Sequence, residues 1–537
     1  MGRYGARKRH QIELHDTMSK VSISLSLATG VQFSLGKVVV LLATQFLLMS
    51  GCSKELIQTR QENASLVLSA YRTRPLEAVN QGNAVVGVHD CVRIALENNL
   101  DVQVALWEES ARNQVAKGAA VRMLPRPEWQ YEISTRDRPH WSRSDLIDHE
   151  GQWEVSGPAP GSDVTNFSTG RERFARPWNT QLKWSPMDAC MARFLWQMKH
   201  NERDHARYQR VRVAQQLTGT VTAAFYRLLA LTHALPKVQS LEANRRSILA
   251  DLQKLAKQQL VDPQEMISAR AQLTEASSTV AETINSIGKQ RELLAAAMNV
   301  SPESHFQLAG ALLPLPPTIL DSHKLEAAAL MNRPEAYQAD LAHLSSIADH
   351  KRTIVKLLPR AEGFIGYFRD ENKFLLNKNW TEGGLRITWD VLDFVATNLE
   401  RRAAADRIVK SDHERALISL GILSQVKLKT LEAMRALDKL RKTTEQLDQA
   451  HEALRVAREV EEAKQKGAPP SEQSIRIARQ KALCGVIQAE IDRIMALGEV
   501  HAAFADLDAA VGTNYPIGAA NVRPVRGGLL GRIGLGR

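Results

Sequence analysis

The side chains best suited to chemistry in this 537-residue chain are its fifteen histidines and four cysteines, and their spacing sets up no reaction. No HExxH, no G-x-S-x-G and no phosphate-binding glycine loop occurs. Cys52, Cys91, Cys190 and Cys484 form no CxxC pair and no Cys/His cluster at metal-ligand spacing, so neither a metal nor a cofactor is expected. His89, Asp90 and Cys91 stand together, but adjacent side chains diverge, and Asp90 reads as a helix-starting residue. Cys91, Cys190 and Cys484 lie in apolar-periodic segments and read as free, buried thiols. The glycine-rich end Gly527–Arg537 follows no strand and cannot cradle a phosphate. The expectation is a protein without catalytic activity.

Cys52 stands apart from the other three. Lys37 precedes an apolar run, 38–49, too short to cross a bilayer as a helix but suited to the core of a secretory signal. Ser50-Gly51-Cys52 follows at once and resembles a bacterial lipobox, with Met49 where that pattern prefers Leu. The resemblance implies cleavage after Gly51, diacylation of Cys52, and an anchor of two acyl chains, which holds where one would be marginal. Ser53, in place of Asp, permits export to the outer membrane under the enteric sorting rule. Residues 1–51 therefore read as a signal peptide, with Met18 as an alternative start, and 52–85 as an N-terminal anchor segment. No second long apolar stretch occurs, so a membrane could be crossed only by strands.

The net charge of +11 would suit a nucleic-acid binder, but its placement does not. Residues 1–51 carry +4 and the basic, Gly-rich tail 514–537 another +4, so the 462 residues between are nearly balanced. No nucleic acid is expected as a partner.

The elements that would hold any site are written twice. Ala95-Leu96-Glu97-Asn98-Asn99-Leu100-Asp101 returns as Ala329-Leu330-Met331-Asn332-Arg333-Pro334-Glu335, and Leu124-Pro125-Arg126 returns as Leu358-Pro359-Arg360, both at an offset of 234. Trp184 and Asp188 match Trp389 and Asp393 at 205, and Ala269-Arg270 matches Ala478-Arg479 at 209. The copies span 86–311 and 312–513. Each predicts two short helices ended by Leu-Pro-Arg, then strands. Trp129, Tyr131 and Ile133 alternate, as do Leu182 and Trp184; Phe364, Gly366 and Phe368 alternate with Ile365 and Tyr367; and Leu385, Ile387 and Trp389 alternate. The first copy separates its strands by a long loop, 134–178, the second by a short one, 369–383. Long helices are predicted from about 189 to 259, with a kink or break at Pro236, and from about 395 to 466. In the second, Leu440, Leu447 and Leu454 with Thr443, Ala450 and Ala457 make a heptad seam. Turns at 259–263 and 467–471 lead into return helices of about 40 residues.

This plan resembles the TolC family of outer-membrane factors over about 86–513. Leu260, Val261, Ala269, Arg270, Ala271 and Gln272 look like the family's first tip hairpin, and "LENNLD" and "MNRPE" like its repeat-opening motifs. The resemblance implies a mainly α fold with a small β part. Three chains would share a twelve-stranded outer-membrane β-barrel and a periplasmic α-helical tunnel. It implies an exit duct for tripartite efflux or type I secretion, gated at its periplasmic tip. The expected partners are a homotrimer, a periplasmic adaptor (membrane fusion) protein, an inner-membrane pump and outer-membrane lipid. Adaptor contact would fall to Gln259, Leu260, Val261, Ala269, Arg270, Gly467 and Ala468, and gate lining to Asp262, Glu265, Glu472, Gln473 and Arg476. Two departures stand out: Gln259 replaces the family's Gly, and Gln473 and Arg476 stand where some members carry acids. An alternative for the same segments is a periplasmic coiled-coil scaffold or adaptor lipoprotein without a barrel.

Overall fold

The computed structural model describes residues 58–67, 85–138, 142–143, 146–147, 153–154, 167–168, 170–258, 262–301, 306–312, 320–464 and 472–515. Cys52, the signal segment and most of the basic tail lie outside the described residues. The described residues divide into two units, one of strands (within 126–183 and 363–385) and one of helices (within 62–125, 184–362 and 386–515).

The helical unit begins with α1 (Val88–Asn98) and α2 (Leu100–Val121). Asn99 separates them: its backbone is extended, and its side chain accepts from the Asp101 N–H at 2.9 Å, capping α2. The second series repeats the device with α5 (Ser322–Asn332) and α6 (Pro334–Lys356), split at Arg333, with Pro334 at the first helical position. The long helices are α3 (Pro186–Ala256), with return helix α4 (Pro263–Met298), and α7 (Val391–Lys464), with return helix α8 (Glu472–Val511). At 71 and 74 residues, α3 and α7 are each about 105–110 Å long at 1.5 Å per residue. No helix among the described residues is long and apolar enough to cross a membrane.

α2 packs on α3, α3 on α6, and α6 on α7; farther along, α4 packs on α3, α3 on α8, and α8 on α7. Small residues bring α3 and α8 close. A Cβ on Gly219 would lie 2.6 Å from the Ala509 Cβ, so this crossing admits only glycine without a shift. Phe225, Leu229 and Met298 close a core with Cys91 and Ile94 of α1, and Leu252, Cys484 and Ile487 close another at the α3/α4/α8 contact. The heptad positions Leu447 and Leu454 are buried against Val486 and Ala489 of α8, with Thr443 also buried.

Pro236 does not break α3, one of the two outcomes its chemistry suggested. The ring removes one backbone bond, but Ala234 and Val238 on either side are buried in the α3/α8 core, and that packing carries the helix through. A correction concerns Cys190, which is exposed, whereas Cys91 and Cys484 are buried.

The strand unit holds a four-stranded sheet of β1 (Arg126–Tyr131), β2 (Trp178–Trp184), β3 (Arg360–Arg369) and β4 (Asn379–Thr388), in the order β4-β3-β2-β1. β1 runs antiparallel to β2, with Arg126 opposite Lys183 and Tyr131 opposite Trp178. Ile133 lies past the end of β1. The 134–178 segment is more than a loop: Ser134–Thr135 pairs with Phe174–Ala175, Ser142–Arg143 with Phe167–Ser168, and Leu146–Ile147 with Trp153–Glu154. These nested antiparallel pairs prolong the β1/β2 hairpin, which the charged, glycine-containing sequence hid because it lacks alternation.

Candidate functional site

The turn ends of the two helical hairpins carry the tip residues singled out from the sequence. Gln259, Leu260, Val261, Gly467 and Ala468 lie outside the described residues, and Glu472 and Gln473 are described only as the first residues of α8. Asp262 caps α4, its Oδ1 accepting from the Gln264 N–H at 3.0 Å. Ala269 faces inward in the α3/α4/α8 core, while Arg270 is exposed. Glu265 takes the Lys481 ammonium from α8.

Arg476 turns back toward α3. Its Nε stands 3.5 Å from Oδ2 of Asp251, a largely buried carboxylate whose Oδ1 accepts from Lys254 at 3.0 Å. One turn on, Gln480 donates to Ser247 Oγ at 3.2 Å, and Arg479 reaches Glu461 of α7 at 3.2 Å. Arg245 donates to Gln272, joining α3 to α4. The first turns of α8 thus bind all three neighbouring helices. Asp251 escaped the sequence reading, although a signal was there: it interrupts the apolar positions Ile248, Leu252 and Leu255 of one helix face. A buried acid in such a stripe requires a cationic partner.

The sheet shows a second arrangement. On one side, Glu128 and Gln130 of β1 meet Asn179, Gln181 and Lys183 of β2 in a ladder of polar contacts, with Lys183 2.8 Å from Glu128 and Gln130 donating to Glu128 at 2.6 Å. The alternate residues Trp129, Tyr131 and Leu182 are apolar or aromatic and exposed. β3 and β4 continue the apolar face with exposed Ile365, Tyr367, Leu385 and Ile387, but on the side of the ladder they carry Phe364 and Phe368, the latter stacked on Trp380 at 5.7 Å. Trp129 stacks on Tyr131, and Trp178 tilts against Tyr367 at 5.6 Å. β4 and β1 are the sheet's two edges, and β4 is exposed along its whole length. Among the described residues, no group of His, Cys, Asp or Glu is placed to hold a metal ion.

No protein-family model and no curated protein matches the sequence. Solved structures do match. The outer-membrane channel OprN aligns with a TM-score of 0.59 at 14% identity, over 82% of this chain and 93% of that one. The outer-membrane protein VceC of Vibrio cholerae aligns at 0.58 and 12% identity, over 79% and 96%. The CmeC outer-membrane channel of Campylobacter jejuni aligns at 0.60 and 11% identity, over 80% and 86%. The chain has the TolC-like fold of these outer-membrane channels.

Proposed function

We propose that this protein is the outer-membrane channel of a tripartite efflux or type I secretion system, a passive exit duct rather than an enzyme. The sheet carries the reading: along one face Trp129, Tyr131, Leu182, Ile365, Tyr367, Leu385 and Ile387 are exposed, in β1 and β2 the opposite face is a polar ladder, and both edges are open. Lipid on the apolar side and water on the polar side satisfy that alternation, and joining edges between copies satisfies the backbone groups. Four strands per chain make a twelve-stranded barrel from three copies. The same faces count against a periplasmic scaffold without a barrel, which would leave the apolar side in water.

The long helices would reach into the periplasm and present the hairpin turns to an adaptor protein and, through it, to an inner-membrane pump that supplies the energy. Asp262, Glu265, Arg270 and Arg476, with the turn residues Gln259, Leu260, Val261, Gly467, Ala468, Glu472 and Gln473, form the candidate gate and adaptor surface. Diacylated Cys52 would anchor the chain. The test is to purify the protein in detergent. A heat-modifiable trimer that inserts into planar bilayers and conducts ions supports the reading, and a water-soluble, non-conducting monomer after signal removal overturns it. Cys52→Ala, followed by labelled palmitate incorporation, tests the anchor separately.

A further inference from the structure

The hairpin of β1 and β2 changes its charge along its length. Opposite residues of an antiparallel pair share a face, and each face recurs every second residue. Glu128 opposite Gln181 and Gln130 opposite Asn179 therefore belong to one face, and the same register brings Ser134 opposite Ala175 onto it. Near the connections to α2 and α3 this face answers charge with charge, Lys183 lying 2.8 Å from Glu128. Past Ser134 it carries arginine on both strands. The Arg136 N–H donates to the Arg173 carbonyl at 2.9 Å, which sets these two arginines directly opposite each other on the polar face. Arg138 and Arg171 follow at the next step of two residues, and all four are exposed.

The acids beside this pair do not cancel it. Asp137 and Glu172 fall at the alternate positions, on the apolar face of Ile133 and Phe174. Glu172 is taken up by Lys373 of the β3–β4 turn, whose ammonium stands 3.9 Å away and whose backbone N–H also donates to it. Asp137 approaches Arg138 only to 4.0 Å, between side chains 62% and 91% exposed, and so weak a contact contributes little. Arg173 crosses to the opposite strand, donating to the Asp137 carbonyl at 2.7 Å and to the Arg136 carbonyl at 3.5 Å. Carbonyls satisfy its N–H groups but bring no charge against it. Like charges directly opposite destabilise a strand pair, and opposite Cβ atoms stand only about 5 Å apart. That lies inside the Debye length of about 8 Å at physiological salt, so the charges act together. Two planar forks at this spacing fit the oxygens of phosphate or sulfate groups. Arg176 differs from the four. It falls opposite Ile133 on the apolar face and lies over the Phe174 ring, 4.5 Å from its centroid.

We propose that this end of the hairpin is an anion-binding mouth of the duct, where Arg136 and Arg173, with Arg138 and Arg171, take the phosphate or sulfate groups of a soluble polyanion on the lumen side. The inference rests on the channel reading, which turns the polar face to water inside the barrel. The chain's own connections put the arginines at the end of the hairpin away from α2 and α3, and so at the outer opening. There the cluster raises the local concentration of departing anions and holds them by charge-assisted hydrogen bonds. A lipid phosphate offers the same chemistry, but it would meet the apolar face and Arg176.

The probe is tripolyphosphate, given to the full-length protein purified in detergent and read by equilibrium dialysis, and then added to either side of phosphatidylcholine bilayers holding the channel. It should bind, and it should block current from one side only. Arg136→Gln combined with Arg138→Gln should weaken binding about tenfold, while Arg136→Lys with Arg138→Lys keeps it within about threefold. Raising the salt from about 50 to about 300 mM should weaken it as well. Arg176→Gln should bind as the parent does. Arg173 is left in place because its bonds to the opposite strand help to hold the hairpin. A conducting channel that binds tripolyphosphate no more tightly than its Gln double variant overturns the mouth and leaves the channel reading standing. Binding that depends on Arg176, or current that responds to lipid A in the bilayer and not to tripolyphosphate, overturns it in favour of a lipid headgroup. A non-conducting monomer overturns both readings, since it has no lumen.

Discussion

Arg333 holds Glu335, two residues farther on, with both branches of its guanidinium: Nε donates to Oε2 at 3.0 Å and one terminal nitrogen to Oε1 at 2.7 Å, and both residues are buried. The other terminal nitrogen donates to the carbonyls of Ala509 and Ala510 at the end of α8, and Gln425 of α7 accepts a further bond. Arg212 of α3 also reaches Glu335. One fork therefore joins α3, α6, α7 and α8. Its counterpart Asn99 does the smaller version of the task, donating to Ala297 at the end of α4. Arg333→Ala leaves a buried carboxylate and the last carbonyls of α8 without this partner. It should cost about 3–5 kcal/mol, read as a fall in the denaturation midpoint. Arg333→Lys keeps the charge but loses the fork, and should recover only part of the loss. A midpoint unchanged in Arg333→Ala would refute the assignment.

At the tip, Arg476 is exposed and Lys254 also pairs with Asp251, so the loss of Arg476 alone costs little global stability. The effect of the Arg476–Asp251 contact should be local, tying the start of α8 to α3. Arg476→Ala and Asp251→Asn should each raise single-channel conductance or open probability in bilayers, with the midpoint of unfolding held within about 1 kcal/mol for Arg476→Ala. Conductance identical to the parent in both variants would remove Arg476 from the gate.

Burial first, and then the positive charge of Arg112, hold the His205 imidazole below its ordinary pKa, with Glu202 pulling weakly the other way. The folded protein therefore resists a proton that the unfolded chain accepts. The sign follows: this contribution is fully present above the unfolded value of about 6.5 and is lost as pH falls below it. Thermal midpoints measured from pH 7.5 to 5 should fall less steeply in His205→Gln than in the parent. Equal slopes would contradict the prediction.

Thiol chemistry should separate the three described cysteines. Burial, with Asp90 second, pushes the Cys91 thiol up to about 12, and burial also raises Cys484. Cys190 is exposed. A maleimide reagent at pH 8 should label Cys190 in the folded protein and reach Cys91 and Cys484 only after denaturation, as peptide mapping would show. Fast labelling of Cys91 in the native protein would mean that the α1/α3/α4 core opens.

Much of this fold is visible in the sequence because its determinants are local. Asn99, Pro125, Pro334 and Pro359 set helix ends through backbone chemistry, and the heptads of α7 mark its seam through spacing alone. Asp251 and Arg476 are different, since they lie on separate hairpins 225 residues apart and only folding pairs them. Whether Pro236 breaks its helix is not written locally, because a single lost hydrogen bond is weighed against the burial of a whole helix face, and that balance is tertiary. The nested pairs within 134–178 have no apolar alternation to announce them, and their pairing is set by continuity with β1 and β2.

The seam of α7 on α8 also restricts how this chain can change over time. Inserting one residue before Leu447 would swing Leu447 and Leu454 about 100° away from Val486 and Ala489 and advance them about 1.5 Å. Insertions or deletions of seven residues come close to restoring the angle, and only when the opposite helix changes by the same length. The other hairpin, packed on the first through α3 and α8, would have to follow. The helical part can therefore lengthen or shorten only in coordinated steps of about two turns, so that its reach behaves as an integer rather than a continuous quantity.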